Sequence, residues 1–201
     1  MVKNGNIWFK DAAGKESELT RSGKDSDPCV SQDGRSVVFV RDTPEQKVET
    51  GAGEVPATEL HLVSVADKKD EVLVKGKSDD DMKKMLGGLF RPHFSPDGRV
   101  IYFNSAAWAT SGSVQRFSLD SRQVKFVIDG DCEGVIPGGK LAGKLLVVRS
   151  LIKHDKKGES MGRDVYLWLV AADGKPVREI GQAEGREAMA FLKAQLGVAG
   201  E

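Results

Sequence analysis

The sequence predicts an all-β fold built from repeated four-stranded sheets, and two observations support this prediction. Short apolar runs that end in an aspartate or glycine turn recur at one constant interval along the 201 residues. Between them recurs a second phrase, in which proline and Asp-Gly precede a run of β-branched and aromatic residues. Self-similarity of this kind is typical of repeat architectures.

The interval between equivalent turns is 53 residues throughout. Gly14, Asp67, Asp120 and Asp173 occupy the same place in four copies of the pattern, each directly after an apolar run. Trp8 and Trp168 also fall at one repeat position, six residues before Gly14 and Gly174, which indicates packing between neighbouring repeats rather than a ligand platform.

The second phrase predicts a tight turn that leads into a buried strand. It occurs at residues 28–40, returns at 92–103 and persists in degraded form at 135–148. Proline and Asp-Gly favour a turn in which glycine takes a positive φ, and the β-branched run that follows favours a strand. The Asp-Gly pairs at 33–34 and 97–98 are therefore interpreted as turns and not as catalytic groups.

Each complete repeat accommodates four strands, which predicts the blades of a small β-propeller with about four blades in a single domain, residues 1–201. Three blades would be complete and one partial. The expected segments are a half blade at 6–20, blades at 27–75, 90–128 and 132–180, and a tail at 184–201. Closure would require two inner strands from the tail. Residues 186–196 instead have the period of an amphipathic helix, with Met189, Leu192 and Leu196 on one side.

Residues 90–103 resemble the TolB-like, WD40-like propeller repeat, in which proline, serine, proline, aspartate and glycine precede an apolar strand. The resemblance covers most of residues 6–180. The first copy has Gln32 in place of the second proline, and the third lacks the serine and the aspartate. The resemblance implies a binding scaffold, often in the bacterial cell envelope or periplasm, or a gating domain beside a prolyl-peptidase domain. No such catalytic domain fits within 201 residues.

Composition and motifs exclude several classes of function. The sequence contains 30 basic residues (Lys and Arg) and 30 acidic residues (Asp and Glu), and its longest block of like charge is Asp79 to Asp81. This balance of charge argues against a nucleic-acid partner. No apolar run approaches the length of a membrane span, and the N-terminus has no apolar segment behind a basic start. No serine-nucleophile elbow, phosphate loop or dinucleotide fingerprint is present. On composition alone a cytoplasmic location is equally compatible with the chain.

The long connections predict a binding face. Residues 42–57, 77–89, 106–113 and 153–163 would all emerge on one side of the propeller, opposite the tight turns. Long connections in compact domains are usually functional or disordered, so tolerated surface insertion is the alternative. The expected partner is a protein or small ligand, without a cofactor or metal. The expected contact residues are Trp108, Met82, Met85 and Phe90 as apolar groups, and Lys156, Lys157 and Arg163 as a polar rim.

The innermost strands predict a second region of interest, the axial channel. Cys29 and His93 occupy equivalent positions in the first two blades and are candidates to face it. A rival hypothesis is a propeller hydrolase or lyase that holds a metal there, with His93 and Asp129 or Asp131 as ligands. Unpaired strand edges at 6–20 and 176–181 would favour homo-oligomers.

Overall fold

The computed structural model describes residues 1–51, 53–108, 111–154, 157 and 160–197. Within them the chain forms strands, one 3-10 turn (Gly139–Leu141) and one helix, α1 (Arg186–Leu196). The strands are β1 (Val2–Lys3), β2 (Asn6–Lys10), β3 (Glu16–Glu18), β4 (Asp25–Val30), β5 (Ser36–Thr50), β6 (Gly53–Ser64), β7 (Asp70–Lys75), β8 (Gly87–Phe94), β9 (Val100–Trp108), β10 (Ser111–Ser118), β11 (Val124–Asp129), β12 (Asp131–Val135), β13 (Leu145–His154), β14 (Ser160–Val170) and β15 (Pro176–Gln182). No helix in the described part of the chain is long and apolar enough to cross a bilayer.

The strands form antiparallel sheets in which sequence neighbours are spatial neighbours. The first sheet contains β1 to β3, and three four-stranded sheets follow: blade 1 (β4 to β7), blade 2 (β8 to β11) and blade 3 (β12 to β15). The predicted all-β architecture, with three complete blades and one partial blade, is confirmed. The first sheet contains one more strand than the sequence predicts, because Val2 and Lys3 pair with Ile7 and Asn6.

Each blade is buried on both faces, which explains the continuous apolar runs. In blade 1, Val38 and Val40 pack towards blade 2, whereas Val37 and Phe39 pack towards the first sheet. Successive residues of a strand point to opposite faces, so burial of both faces favours consecutive apolar residues in these strands. The same alternation places Leu145 and Val147 towards blade 2, and Leu146 towards α1.

The Asp-Gly turns of blades 1 and 2 are equivalent in their hydrogen bonds. The Ser31 hydroxyl donates to Asp33 and the Ser95 hydroxyl to Asp97, both at 2.6 Å, and both turns place glycine at φ +70°. These hydroxyls, with backbone N–H groups, lower the pKa of both aspartates. The carboxylates therefore stabilise the turns, as the Asp-Gly pattern predicts.

The helix predicted at 186–196 is confirmed, and it covers the face of blade 3 remote from blade 2. Ala188 is fully buried there, and Phe191, Leu192 and Leu196 pack around it. The approach is close, since a Cβ on Gly134 would lie 2.6 Å from a Leu196 methyl carbon. Met189 lies on the same side of the helix as Leu192 and Leu196, as the sequence pattern predicts. It is 52% exposed, and all three residues line an open groove beside the helix.

The sheets and the helix are therefore stacked in chain order. Because residues 186–196 are helical, they do not supply inner strands to complete the first sheet. None of the hydrophobic clusters in the described residues combines the first sheet with α1. The strand pair that ring closure would require is therefore not formed by the described tail, which is helical as the sequence pattern predicts.

The expectation that the long connections are irregular loops is wrong for the hairpins. Residues 42–57 continue β5 and β6, which remain paired out to Thr50 and Gly53. Residues 106–113 and 153–163 likewise lie largely within the paired ends of β9 with β10 and of β13 with β14. Alternating apolar residues such as Val48, Val55 and Ala57 give the first extension a face to bury, and this burial favours a paired hairpin over a loop.

Candidate binding face

The extensions of blades 1 and 2 meet in one structure, which we call the hairpin platform. It consists of described residues of the β5–β6 tip (43–57), the β9–β10 tip (106–112) and the connection 77–87. Its apolar core is a separate cluster from those inside the blades. The cluster contains buried Val48, Ala57, Met85 and Ala107, with partly buried Val55, Met82 and Trp108 around them.

Hydrogen bonds between these segments hold the platform together. The Gly51 N–H donates to the Ala107 carbonyl at 2.8 Å, which joins the two hairpin tips. The Glu49 N–H donates to the Ser78 hydroxyl at 2.9 Å, which joins the first tip to the connection. The buried Ser105 hydroxyl lies within hydrogen-bonding distance of two carbonyls of the connection, Met85 and Gly87, at 3.0 and 3.1 Å. The platform is thus a folded unit with its own core.

Two of the predicted contact residues lie together at the platform surface. Trp108 is partly buried and meets Phe126 edge-on at 6.3 Å between ring centroids. Met82 packs on the same cluster. The prediction that Met85 is a contact residue is wrong, because its side chain is only 3% exposed and belongs to the platform core rather than to a contact surface. Phe90 lies on β8 opposite Asn104 and is not part of this cluster.

The predicted polar rim belongs to the hairpin of blade 3. Arg163 is exposed on β14, opposite Ile152 of β13, and Lys157 is exposed in the turn between these strands. Lys156 lies outside the described residues. Arg163 lines a groove with Val148 of β13 and Gln182 of β15, so it lies beside blade 3 residues and not in the cluster of Trp108 and Met82.

A groove beside the platform was not identified from the sequence. Its volume is about 380 Å³, and it lies between the connection 77–87 and the outer strand β11. Its lining residues include Lys77, Lys83, Lys84, Lys125 and Phe126. The Lys83 ammonium lies 5.6 Å from the centre of the Phe126 ring. Lys83 and Lys125 are far apart in the sequence, and no motif links them. Residues 124–126 have the pattern of an ordinary half-exposed outer strand. The groove is therefore visible only in the tertiary structure.

Equivalent residues of three blades are linked along the innermost strands by one hydrogen bond and one ion pair. Asp27, Arg91 and Glu133 each lie where the pairing of β4, β8 or β12 shifts register. The Arg91 backbone N–H donates to Asp27 Oδ2 at 2.9 Å, and its guanidinium donates to Glu133 Oε1 at 2.7 Å. Asp27 and Arg91 adopt positive φ values of 48° and 45°. Such bulges redirect a side chain, here into contacts between blades.

The two channel candidates are partly buried. Cys29 packs against the cluster between blades 1 and 2, and burial raises the pKa of its thiol. His93 has no hydrogen-bond partner for its Nε2 atom. Burial, aided by the Arg91 charge, lowers the pKa of His93 to about 4. Cys29 and Cys132 are both free thiols.

The proposed metal ligands do not converge. The Asp129 carboxylate accepts hydrogen bonds from Arg149 at 2.8 and 3.1 Å. Asp131 lies in a different environment: burial raises the pKa of its carboxyl, and its Oδ1 atom has no hydrogen-bond partner. Among the side chains that the structure describes, which do not include that of His154, no group of three or more histidine, cysteine, aspartate or glutamate residues is arranged to hold a metal ion. The described side chains do not fit the axial metal of the rival hypothesis.

Comparison of the sequence with family models and with curated proteins finds no match. Solved structures do match. TolB from Acinetobacter baumannii aligns over 88% of this chain and 38% of its own, with a TM-score of 0.57 and 16% identity. The chain has a TolB-like propeller fold. Dipeptidyl peptidase 4 from Porphyromonas gingivalis aligns over 90% of this chain and 30% of its own, with a TM-score of 0.56 and 15% identity.

The TolB-like propeller fold is shared with proteins of different activities. A gluconolactonase from Xanthomonas campestris aligns over 89% of this chain and 56% of its own, with a TM-score of 0.53 and 18% identity. The chain thus spans between about a third and about half of the length of these structures. Since enzymes occur among them, the fold itself is compatible with catalysis, and function must be argued from the residues of the site.

Proposed function

We propose that this chain is a non-enzymatic propeller scaffold that binds a protein partner through the hairpin platform. The observation that carries the proposal is the packing of three separate chain segments into one folded surface outside the blades. A paired hairpin that extends beyond its blade adds nothing to the core of that blade. Its residues instead bury one another and present a rigid surface.

A preorganised surface suits binding, because rigid partners lose less conformational entropy on association. The bonds from Gly51 to Ala107 and from Glu49 to Ser78 hold the tips before any partner arrives. Trp108 is partly buried at the edge of this surface, and tryptophan is enriched among the residues that dominate binding energy. Met82 beside it adds an adaptable apolar contact.

The environments of the buried Cys132 and His61 side chains support a binding role. Cys132 is fully buried, and burial raises the pKa of its thiol to about 12, so little reactive thiolate forms at neutral pH. The two ring nitrogens of His61 lie 2.7 Å from an Asp70 oxygen and 3.1 Å from a Glu59 oxygen, so the ring is engaged inside blade 1. These groups serve packing and internal hydrogen bonds.

Site-specific photocrosslinking in cells of the native organism tests the platform. A photoreactive amino acid replaces Gln46, which is exposed on the β5–β6 tip, and in a matched variant it replaces Gln32, which is exposed on an Asp-Gly turn. We expect a discrete crosslinked protein from position 46 and none from position 32. Equal crosslinking at both positions, or crosslinking only at 32, contradicts the proposal.

The resemblance also supports a location in the bacterial cell envelope, which we include in the proposal. Fractionation of native cells with an antibody against the chain tests this location. Recovery with periplasmic markers supports it, and recovery with cytoplasmic enzymes overturns it without affecting the platform.

A further inference from the structure

The groove between residues 77–87 and β11 is lined by four lysines and by one carboxylate, that of Asp81. All four of its lysines are exposed. Lys84 lies 3.4 Å from the Asp81 carboxylate. Lys77, Lys83 and Lys125 have no ion pair with another residue in the described part of the chain. Three exposed ammonium groups around one groove therefore remain available to an anionic ligand.

The rim of this groove is held in place by the fold. Lys77 and Leu86 exchange both backbone hydrogen bonds, at 2.9 and 3.0 Å, which closes the base of the connection. The Gln115 side chain is buried in blade 2 and donates to the Lys83 carbonyl at 3.1 Å. The Lys83 N–H donates to Asp81 at 3.0 Å. Lys83 therefore projects from a fixed backbone.

The floor of the groove is apolar. Leu86 is nearly fully buried, and Val124 and Phe126 of β11 are partly exposed beside it. Phe126 contacts Trp108 edge-on, so the floor is continuous with the hairpin platform. A ligand that fits both features carries negative charges around an apolar side chain.

We propose that this groove binds an acidic peptide segment of a protein partner, with carboxylates paired to Lys77, Lys83 and Lys125 and an apolar side chain against Phe126. The inference deepens the proposed function, because the groove adjoins the platform. Charge complementarity at an interface contributes to specificity and association rate. A peptide is favoured over a nucleic acid because the whole chain has no net charge and the Trp108 ring is already packed against Phe126.

Peptide selection on the full chain tests the inference. A randomised library of 12-residue peptides is selected on the wild-type protein, and the enriched peptides are measured by fluorescence polarisation. The test variant is Lys83→Glu/Lys125→Glu in the groove. Its matched control is Lys15→Glu/Lys140→Glu, which reverses two exposed lysines in turns on the opposite face. Thermal melting of both variants verifies that each is folded.

We expect enrichment of aspartate and glutamate around one apolar residue, with affinity at least tenfold weaker for the groove variant and within twofold for the control. Enriched peptides without acidic residues, or equal binding to both variants, overturn the inference. The inference is also overturned if a 12-nucleotide oligothymidine binds more tightly than the selected peptide and displaces it completely from the protein. Complete displacement of the peptide by inorganic phosphate at equal concentration overturns it as well. Crosslinking at Gln46 without groove-dependent peptide binding retains the platform and rejects the groove.

Discussion

The Asn104 side chain forms two hydrogen bonds with the backbone of one residue in the neighbouring blade, Cys132. Its carbonyl oxygen accepts the Cys132 N–H at 2.7 Å, and its amide donates to the Cys132 carbonyl at 3.1 Å. Both residues are fully buried. The amide thus takes the place of a strand partner at the point where the β12 pairing with β13 shifts register.

Replacing Asn104 with leucine, which has nearly the same shape, should therefore destabilise the protein. The change leaves the buried N–H and carbonyl of Cys132 unpaired, and we expect the free energy of unfolding to fall by about 2–4 kcal/mol. Urea denaturation measures the loss, and hydrogen exchange should accelerate at the Cys132 amide. Gln46→Leu, on the exposed tip, is the control and should change stability by less than about 0.5 kcal/mol. A loss of that small size for Asn104→Leu contradicts the bridging role.

Arg41 compensates a buried carboxylate in blade 1. Asp25 is 2% exposed and lies 2.6 and 3.2 Å from Arg41 nitrogens. Burial alone would raise the pKa of Asp25, but hydrogen bonds from Arg41, Ser22 and Thr20 and the Arg41 charge outweigh burial and lower it. We expect Arg41→Ala to lower the free energy of unfolding by about 3–5 kcal/mol, since it leaves an unpaired buried charge.

Chemical denaturation compares Arg41→Ala with Arg35→Ala, whose side chain is 87% exposed and should cost little. The double variant Arg41→Ala/Asp25→Asn should recover part of the loss, because no charge then remains buried. Equal destabilisation by Arg41→Ala and Arg35→Ala would show that the pair is not important for stability.

His93 should make the protein sensitive to acid. Its pKa in the folded protein, about 4, lies below the ordinary value of 6.5, so the unfolded chain takes up the proton first as pH falls. The contribution of His93 to the free energy of unfolding is therefore fully present above about pH 6.5. It is lost as the pH falls towards 4, which lowers the free energy of unfolding by about 3 kcal/mol in total. Denaturation of wild type and His93→Leu across this range should show a flatter profile for the variant. Parallel profiles would rule out this source of acid sensitivity.

Asp131 is expected to oppose folding at neutral pH. Burial raises the pKa of its carboxyl and the Arg91 charge offsets this only in part, while Oδ1 has no hydrogen-bond partner. The charged form is thus disfavoured in the folded state, so Asp131→Asn should raise the melting temperature at pH 7. The advantage should disappear as pH falls through the pKa of the folded carboxyl, because the wild-type group then becomes neutral. A lower melting temperature for the variant at pH 7 would contradict this reading.

Local patterns predicted the fold because they depend on neighbouring residues. The runs at 37–40 and 101–103 require burial on both faces, and the Asp-Gly pairs specify the turns between strands. The pattern at 186–196 likewise predicted α1. The same reasoning misplaced Met85, since the partner that covers a side chain cannot be read from its spacing.

The candidate site was predicted only in outline. Length and position indicated that residues 42–57, 77–89 and 106–113 emerge together, and Trp108 and Met82 do share one cluster. Sequence could not show that two of these segments are paired hairpins, because their polar residues also suit loops. Nor could it show the groove, whose Lys83 and Lys125 meet only after blade 2 folds beside the connection.

The sequence by itself determined the repeat, its strands, its turns and the terminal helix, because each follows from hydrogen bonding and burial within a few residues. Tertiary structure alone decided which faces meet: the bridge from Asn104 to Cys132, the contacts of Arg91 with Asp27 and Glu133, and the lysines around Phe126. These contacts join residues far apart in the chain, and their energies depend on distances that exist only once the blades have stacked.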